Sequence, residues 1–471
     1  MQFQILDVDY VFVNDKPILR VFGKTEKGES VCGFYEGLLP FFYAEGKGVE
    51  ELLAKNPQVA KIETVSRFVV GSQAPRDVYR ITLRNPAKTP EVREGLTAAG
   101  VKAYEADILF KYRVMNDLGL DGLGWVEVSG SNGVTTETVN AKLKLQIKDI
   151  KPVLKDADVG LKYMAFDIEC TSSKGGLPDS KRDPIILISL VFSEPFKGEK
   201  SIVLSTRADP SVLHSEDEKA MLEEFIRIID EYDPDIITGY NCNNFDLPYI
   251  VGRMREAGVR PLFGRCKQKQ VISKKIGMKQ KTIITGRIVA DSFDIVKKDF
   301  SLQRYGLDFV ADKLLGEKKG AVKHSEIEKL WKGDQPGFKK LAEYCKQDSV
   351  LALNLLLKLN LLDKYTALSK VSGTLLQDTL DSGETTRIEN YVLREFNKAG
   401  YVFPCRPDAR AVLARGEGRH DALGGGAVLE PDKGIHSSVI VLDFKAMYPS
   451  IVRTFNICPT TLIDKPVEGC M

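Results

Sequence analysis

The sequence contains no apolar run approaching the roughly 20 residues that a helix needs to cross a membrane, which excludes a helical span. Its opening, MQFQILDVDYVF, lacks the basic stretch followed by an apolar stretch that marks a secretory leader, so a cytoplasmic protein is expected. Eight cysteines stand at 32, 170, 242, 266, 345, 405, 458 and 470, without a C-x-x-C pair or a Cys/His cluster of zinc type. Without a secretion signal these thiols are expected to stay reduced, most of them buried. Neither sign of charge is in real excess: the net charge is +2, so a surface for a polyanion has to be made by local clustering. Internal repeats and low-complexity tracts are also missing. What remains is a globular composition, 43% apolar and 28% charged, on a chain of 471 residues. Since single cores stop growing at roughly 250 to 300 residues, several domains are expected.

Short alternating runs open the chain: FQILDVDYVFV, PILRVFG and VYRITLRN read as strands, and PEVREGLTAAG has helical spacing. Residues 1–130 are therefore expected to form an α+β domain. The small, polar, turn-rich segment SGSNGVTTETVNAK places a linker at 131–155. From 156 to 365 the pattern predicts strands LKYMAFDIEC, PIILISLVF, KSIVLS and DIITGYN, with helices EKAMLEEFIRIIDEY, LPYIVGRMREAG and a long one around FKKLAEYCKQDSVLALNLLLKL. Consecutive strands followed by alternation of strand and helix imply a mixed sheet covered by helices. Residues 366–471 form a third region, in which the loop GGGAVLEP precedes a strand VIVLDF. The fold class is α/β and α+β multidomain.

In LKYMAFDIEC the apolar run is broken by Asp167 and Glu169, which at period two point to one face of a strand, roughly 6 to 7 Å apart. Like charges so close repel unless a cation lies between them, although a strand end whose acids meet water is the plainer account of an isolated D-x-E. In GYNCNNFDLPYI, Asp246 directly precedes a helix with Pro248 in its first turn, and taken alone it reads as an N-cap. In the long helix Leu341, Tyr344, Cys345, Asp348, Leu351 and Leu355 share one stripe, so Asp348 stands where an apolar residue belongs. A carboxylate there needs a metal or hydrogen-bond donors, whereas Tyr344 alone could be a buried tyrosine anchored by its hydroxyl.

Taken in order, D-x-E, N-x-x-x-F-D and Y-x-x-x-D resemble the three exonuclease motifs of family B DNA polymerases, whose proofreading domain has an RNase H-like fold. The resemblance implies a 3′-5′ exonuclease acting on a single-stranded DNA end with two Mg²⁺ (or Mn²⁺) ions. It assigns Asp167, Glu169 and Asp348 to the first metal, and Asp167 with Asp246 acting through water to the second. Tyr344 would orient the attacking water, and Asn241 and Phe245 of the second motif would contact DNA. Arg260 to Arg287 holds nine Lys or Arg residues and no acid, so Lys274 and Lys275 are either DNA-backbone contacts or part of a solvated hairpin.

The stretch VIVLDFKAMYPSI resembles polymerase motif A, with Ala446 and Met447 departing from the family pattern. It implies that Asp443 and the Phe444 carbonyl bind polymerase metals and that Tyr448 excludes the ribose 2′-hydroxyl. LGGGAVLEP resembles the template-contacting Tyr-x-Gly-Gly element, keeping Gly425 and Gly426 but with Leu423 in place of the tyrosine. No second palm aspartate follows before Met471, so use of dNTP is expected only if the palm, fingers and thumb come from elsewhere, for example a second polymerase polypeptide. ILDVDY, LLPFFYA, LRNPAKTPEVRE and ILFKYRVM resemble the archaeal members of the family, which read template uracil. The matching pocket positions are Tyr10, Pro40, Pro86, Phe110 and Arg113, with Thr89 departing from an apolar position; an ordinary β-domain core explains the same aromatics. Two other readings compete: a stand-alone DNA-trimming nuclease, and a non-catalytic DNA-binding or assembly subunit derived from a polymerase.

Overall fold

A computed structural model describes residues 1–72, 74–134, 138–172, 176–276, 279–320, 322–407, 428–458 and 461. Leu423, Gly425 and Gly426 lie outside the described residues. Packing divides the chain into two compact units, the first made of residues 1–38 and 111–392, the second of 39–110 and 393–471.

The first unit contains a closed barrel of Gln2–Val13, Lys16–Lys24, Ser30–Tyr35, Leu143–Val153 and Trp125–Asn132, each hydrogen-bonded to the next and the last to the first. Closure leaves no free strand edge. The expected linker at 131–155 is thus largely barrel: Leu143–Val153 pairs antiparallel with Trp125–Asn132, burying Leu145, Ile147 and Ile150. Val139, in the polar segment before it, forms an antiparallel bridge with Cys266.

Beside the barrel lies a six-stranded sheet in the order Leu213–His214, Glu199–Ser205, Ile185–Phe196, Tyr163–Cys170, Ile236–Gly239, Ile288–Asp291. The strand Tyr163–Cys170 runs antiparallel to Ile185–Phe196 and parallel to Ile236–Gly239, which gives the mixed sheet that the alternation of elements predicts. Helices cover both faces. Met164, Phe166, Ile168 and Cys170 pack one way, against Phe225 and Ile228 of the helix Glu218–Tyr232 and Leu247 and Ile250 of the helix Asp246–Glu256. Each phenylalanine fully buried there contributes about 1.5 to 3 kcal/mol. Ala165 packs the other way, against Leu353 of the long helix Gln335–Lys358. Strand periodicity therefore puts Asp167 and Glu169 on the face of the long helix. That helix starts where Asp334 accepts a hydrogen bond from Gly337 N at 3.0 Å, with Pro336 in its first turn.

At the edge of this sheet the side chain of Gln377, on the helix Leu376–Asp381, takes the place of a seventh strand. Its Oε1 accepts from Val289 N at 2.6 Å and its Nε2 donates to Val289 O at 3.2 Å.

The second unit is a five-stranded sheet in the order Tyr401–Val402, Val59–Val69, Arg76–Leu83, Phe41–Glu45, Lys102–Tyr104, with the helix Thr89–Ala98 packed on it through Val92 and Leu96. Tyr401–Val402 pairs in parallel with Phe68 and Val69 although more than 300 residues separate them in the chain. The run Val439–Phe444, expected as a strand, joins no β-ladder among the described residues, and its Ile440, Val441 and Leu442 are more than 80% exposed. An apolar run becomes a strand only beside a partner, and none of the described segments supplies one.

Candidate active site

Three walls deliver carboxylates to one cleft in the first unit. The strand Tyr163–Cys170 supplies Asp167 and Glu169, the turn after Ile236–Gly239 supplies Asp246, and the long helix supplies Tyr344 and Asp348. Gly239 makes the approach of the second wall possible, since a Cβ there would lie 2.8 Å from both the Phe166 carbonyl oxygen and Cys242 Cβ. Asp246 is the first residue of its helix rather than the cap; the N-cap position is Phe245, without a side-chain hydrogen bond. Its Oδ1 instead accepts from Ile168 N at 3.3 Å, which ties the second wall to the first between the two acids of that strand.

The electrostatics are those of a crowded anionic site. Burial, then Asp246, Asp348 and Glu169, push the Asp167 carboxyl well above the ordinary range. Burial and Asp348 raise Glu169 to about 8. Burial, with Asp291 and Asp348 adding to it, raises Asp246 to about 7 against hydrogen bonds from its own N–H and that of Ile168. Asp348 is raised as well, by burial. Four mutually repelling acids cost stability unless cations neutralise them.

One cation is built in, and the sequence did not single it out. Lys319 Nζ lies 2.6 Å from Asp348 Oδ2 and 4.3 Å from the centre of the Tyr344 ring. Burial alone would depress this lysine, but Asp348 and Tyr344 hold it above its usual value. The other Asp348 oxygen, Oδ1, is buried without a hydrogen-bond partner. Lys319 sits in the short run GEKKG between helices, where nothing in periodicity or spacing sets it apart from Lys318.

Oxygens of Asp167 and Glu169 and the Cys345 sulfur lie within 4.8 Å of one another. Burial holds the Cys345 thiol protonated, and it donates to the Asp167 carbonyl oxygen at 3.7 Å, so it belongs to the packing. An orphaned carboxylate oxygen beside three further carboxylates is a donor set suited to a hard divalent cation with oxygen ligands.

Asn241 adopts a left-handed conformation with φ 65°, and its N–H is bound to Asp291 Oδ1 at 2.8 Å. Phe245 packs at 5.3 Å from Tyr249, ring to ring. The basic stretch divides into two groups. Arg265 and Arg287 are fully buried against Asp233, Lys267 pairs with Asp230 and Lys269 with Asp9, so these four hold the fold together. Lys274 and Lys275 are exposed on the hairpin of Ile272–Ile276 and Lys279–Ile283, with Lys274 directly opposite Lys281.

Asp443, Phe444 and Tyr448 are exposed in the second unit, Tyr448 on the helix Met447–Thr454. Of the pocket positions, Tyr10 and Arg113 lie in the first unit and Pro40, Pro86 and Phe110 in the second; all but Tyr10 are buried, and Thr89 opens the helix Thr89–Ala98.

A mixed sheet carrying an acid-lined cleft between strand, turn and helix defines a class of domain, and comparison with known proteins names it. Residues 101–310 match the family described as DNA polymerase family B, exonuclease domain, and residues 374–469 match DNA polymerase family B. The chain belongs to DNA polymerase family B, with an exonuclease domain and part of a polymerase domain. It is 30% identical to the DNA polymerase delta catalytic subunit of Mesocricetus auratus, over 96% of this chain and 46% of that one. It is 27% identical to the delta catalytic subunit of Dictyostelium discoideum, over 98% of this chain and 48% of that one. The fold is similar to that of the family B DNA polymerase from the hyperthermophilic archaeon Pyrobaculum calidifontis, with a TM-score of 0.81 and 27% identity, over 100% of this chain and 59% of that one. The chain spans about half the length of the curated relatives it matches. Among the described residues no helix is long and apolar enough to cross a membrane.

Proposed function

We propose that this chain removes the 3′-terminal nucleotide of DNA by metal-dependent phosphodiester hydrolysis, as the proofreading part of a family B polymerase. The observation that carries this reading is the convergence of four raised carboxylates with the unpartnered Oδ1 of Asp348. Mg²⁺ or Mn²⁺ is the cation class that oxygen donors favour. Asp167, Glu169 and Asp348 would hold one ion, and Asp167 with Asp246 through water a second. When bound, such a pair supplies an activated water and neutralises the leaving oxygen.

The chain's own groups do the rest. Tyr344, held beside Lys319, presents its hydroxyl to the attacking water. Lys319 offsets part of the burial that raises Asp348 and holds its Oδ2, so that Oδ1 remains for a ligand. Asn241 and Phe245 line the turn against which the terminal nucleotide rests. Lys274 and Lys281, opposed across the hairpin, repel each other at a cost that a phosphate backbone would remove.

The test is release of nucleotides from a 3′-labelled single strand in Mg²⁺, with Asp167→Ala/Glu169→Ala as the comparison. Degradation is expected to be abolished while circular dichroism and melting show a folded protein; degradation that persists unchanged in the double variant would defeat the reading. Synthesis is a second reading, supported by the match at 374–469. In it Asp443 and the Phe444 carbonyl hold metals and Tyr448 excludes ribonucleotides, once the rest of a palm is present.

A further inference from the structure

We infer that Asp291 is a positioning residue for the exonuclease site, holding the turn that delivers Asp246. The inference rests on the proposed exonuclease reading for its purpose, and on geometry of its own for its substance.

Asp291 is the last residue of the edge strand Ile288–Asp291, level with Gly239 on the neighbouring strand, and is 3% exposed. Its carboxylate takes three backbone N–H donors. Oδ1 accepts from Asn241 at 2.8 Å and from Phe293 at 3.0 Å; Oδ2 accepts from Asn243 at 2.8 Å. The Phe293 bond caps the following helix Ser292–Asp299 and is an ordinary N-cap. The other two bonds reach across to a different segment. They fix the N–H groups of a turn whose first residue is left-handed at φ 65°, a conformation that a non-glycine residue adopts only at some cost.

What that turn carries gives Asp291 its role. Phe245 N and Asn244 N donate to the Asn241 carbonyl oxygen, and Leu247 N to that of Cys242, so the segment from Asn241 to the first turn of the helix that begins at Asp246 is braced by its own backbone hydrogen bonds. A displacement at Asn241 or Asn243 therefore moves Asp246 relative to Ile168 N and Asp167. Groups that orient metal ligands without touching the metal typically change metal affinity or activity by 10- to 100-fold when removed. Asp291 is assigned a positioning role and not a ligand's, because both of its carboxylate oxygens are taken up by backbone N–H donors.

The experiment compares wild type with Asp291→Asn, Asp291→Ser and, as a cap removed from a helix remote from the cleft, Asp217→Ala. Serine keeps an acceptor for the cap while losing the reach across to the turn. Two quantities are read: the affinity for Mn²⁺, from the free-ion signal in electron paramagnetic resonance, and the Mg²⁺ concentration giving half-maximal exonuclease rate. Both Asp291 variants are expected to need roughly 10-fold more metal on each measure. Asp217→Ala is expected to lower the melting temperature with metal affinity unchanged. A purely structural Asp291 would instead lower the active fraction at unaltered metal affinity, and that result overturns the inference. Should the wild type bind Mn²⁺ but degrade nothing, the exonuclease reading fails and the Mn²⁺ comparison still decides this one. Should both variants fail to fold, amide exchange in the wild type decides: Asn241 and Asn243 are expected among the slowest amides, and rapid exchange at both refutes the inference.

Discussion

The two oxygens of Asp348 are used differently: Oδ2 is held by Lys319, and Oδ1 is left bare. Removing the lysine leaves a largely buried charge without its ion pair, so Lys319→Met should destabilise the metal-free protein by roughly 1 to 3 kcal/mol. Added Mg²⁺ should restore most of that loss, which melting curves in chelator and in Mg²⁺ would register. Glu169 makes a separate prediction. Its carboxyl is raised from 4.5 to about 8 in the folded state, so between those values the folded protein retains a proton that the unfolded chain has released. That contribution to stability is present below pH 4.5 and is lost as pH rises through about 8. Metal-free wild type should therefore lose stability across this window, and Glu169→Gln should flatten the profile in denaturant titrations. These residues were individually ambiguous in the sequence. Asp246 alone reads as a cap, and the structure shows instead a carboxylate turned to Ile168 N, a long-range contact that no local spacing encodes.

Among the elements, the long helix was the most legible, because a polar residue in an otherwise apolar stripe stands out at helical period. The strand of Asp167 and Glu169 was legible for the corresponding reason at period two. The hairpin was visible only as a concentration of charge, and the structure divides that charge: Arg265, Lys267, Lys269 and Arg287 are consumed by ion pairs, while Lys274 and Lys275 remain at the surface. Which basic residues pair inward depends on acids as distant in sequence as Asp9 and Asp233, and composition cannot reveal that. Charge reversal of Lys274, Lys275, Lys279 and Lys281 to Glu should lower affinity for single-stranded DNA and flatten its dependence on salt. Equal salt slopes for variant and wild type, measured by fluorescence anisotropy, would assign the hairpin to solubility alone.

For the whole molecule, the difficulty lies in segments that fold with partners far away in the chain. Leu143–Val153 was hidden inside an expected linker because its neighbour in the barrel, Ser30–Tyr35, lies about a hundred residues earlier. Tyr401–Val402 completes a sheet begun before residue 70. Val439–Phe444 shows the converse, a strand-like sequence without a ladder among the described residues. If synthesis requires further palm elements, primer extension by this chain alone should be undetectable and should appear only when a polypeptide carrying those elements is added. Extension by the chain alone would refute that requirement.

Gln377 carries a consequence for how the two activities of the family are joined. Its amide occupies the open rim of the exonuclease sheet at Val289, two residues before Asp291, and it belongs to the stretch that matches the polymerase domain. An uncovered rim is a template on which another chain can add a strand, the first step towards aggregation. The first turn of polymerase sequence thus acts as a stopper for the nuclease sheet, so that a cut placed between the two would release a nuclease prone to self-association rather than a clean stand-alone enzyme.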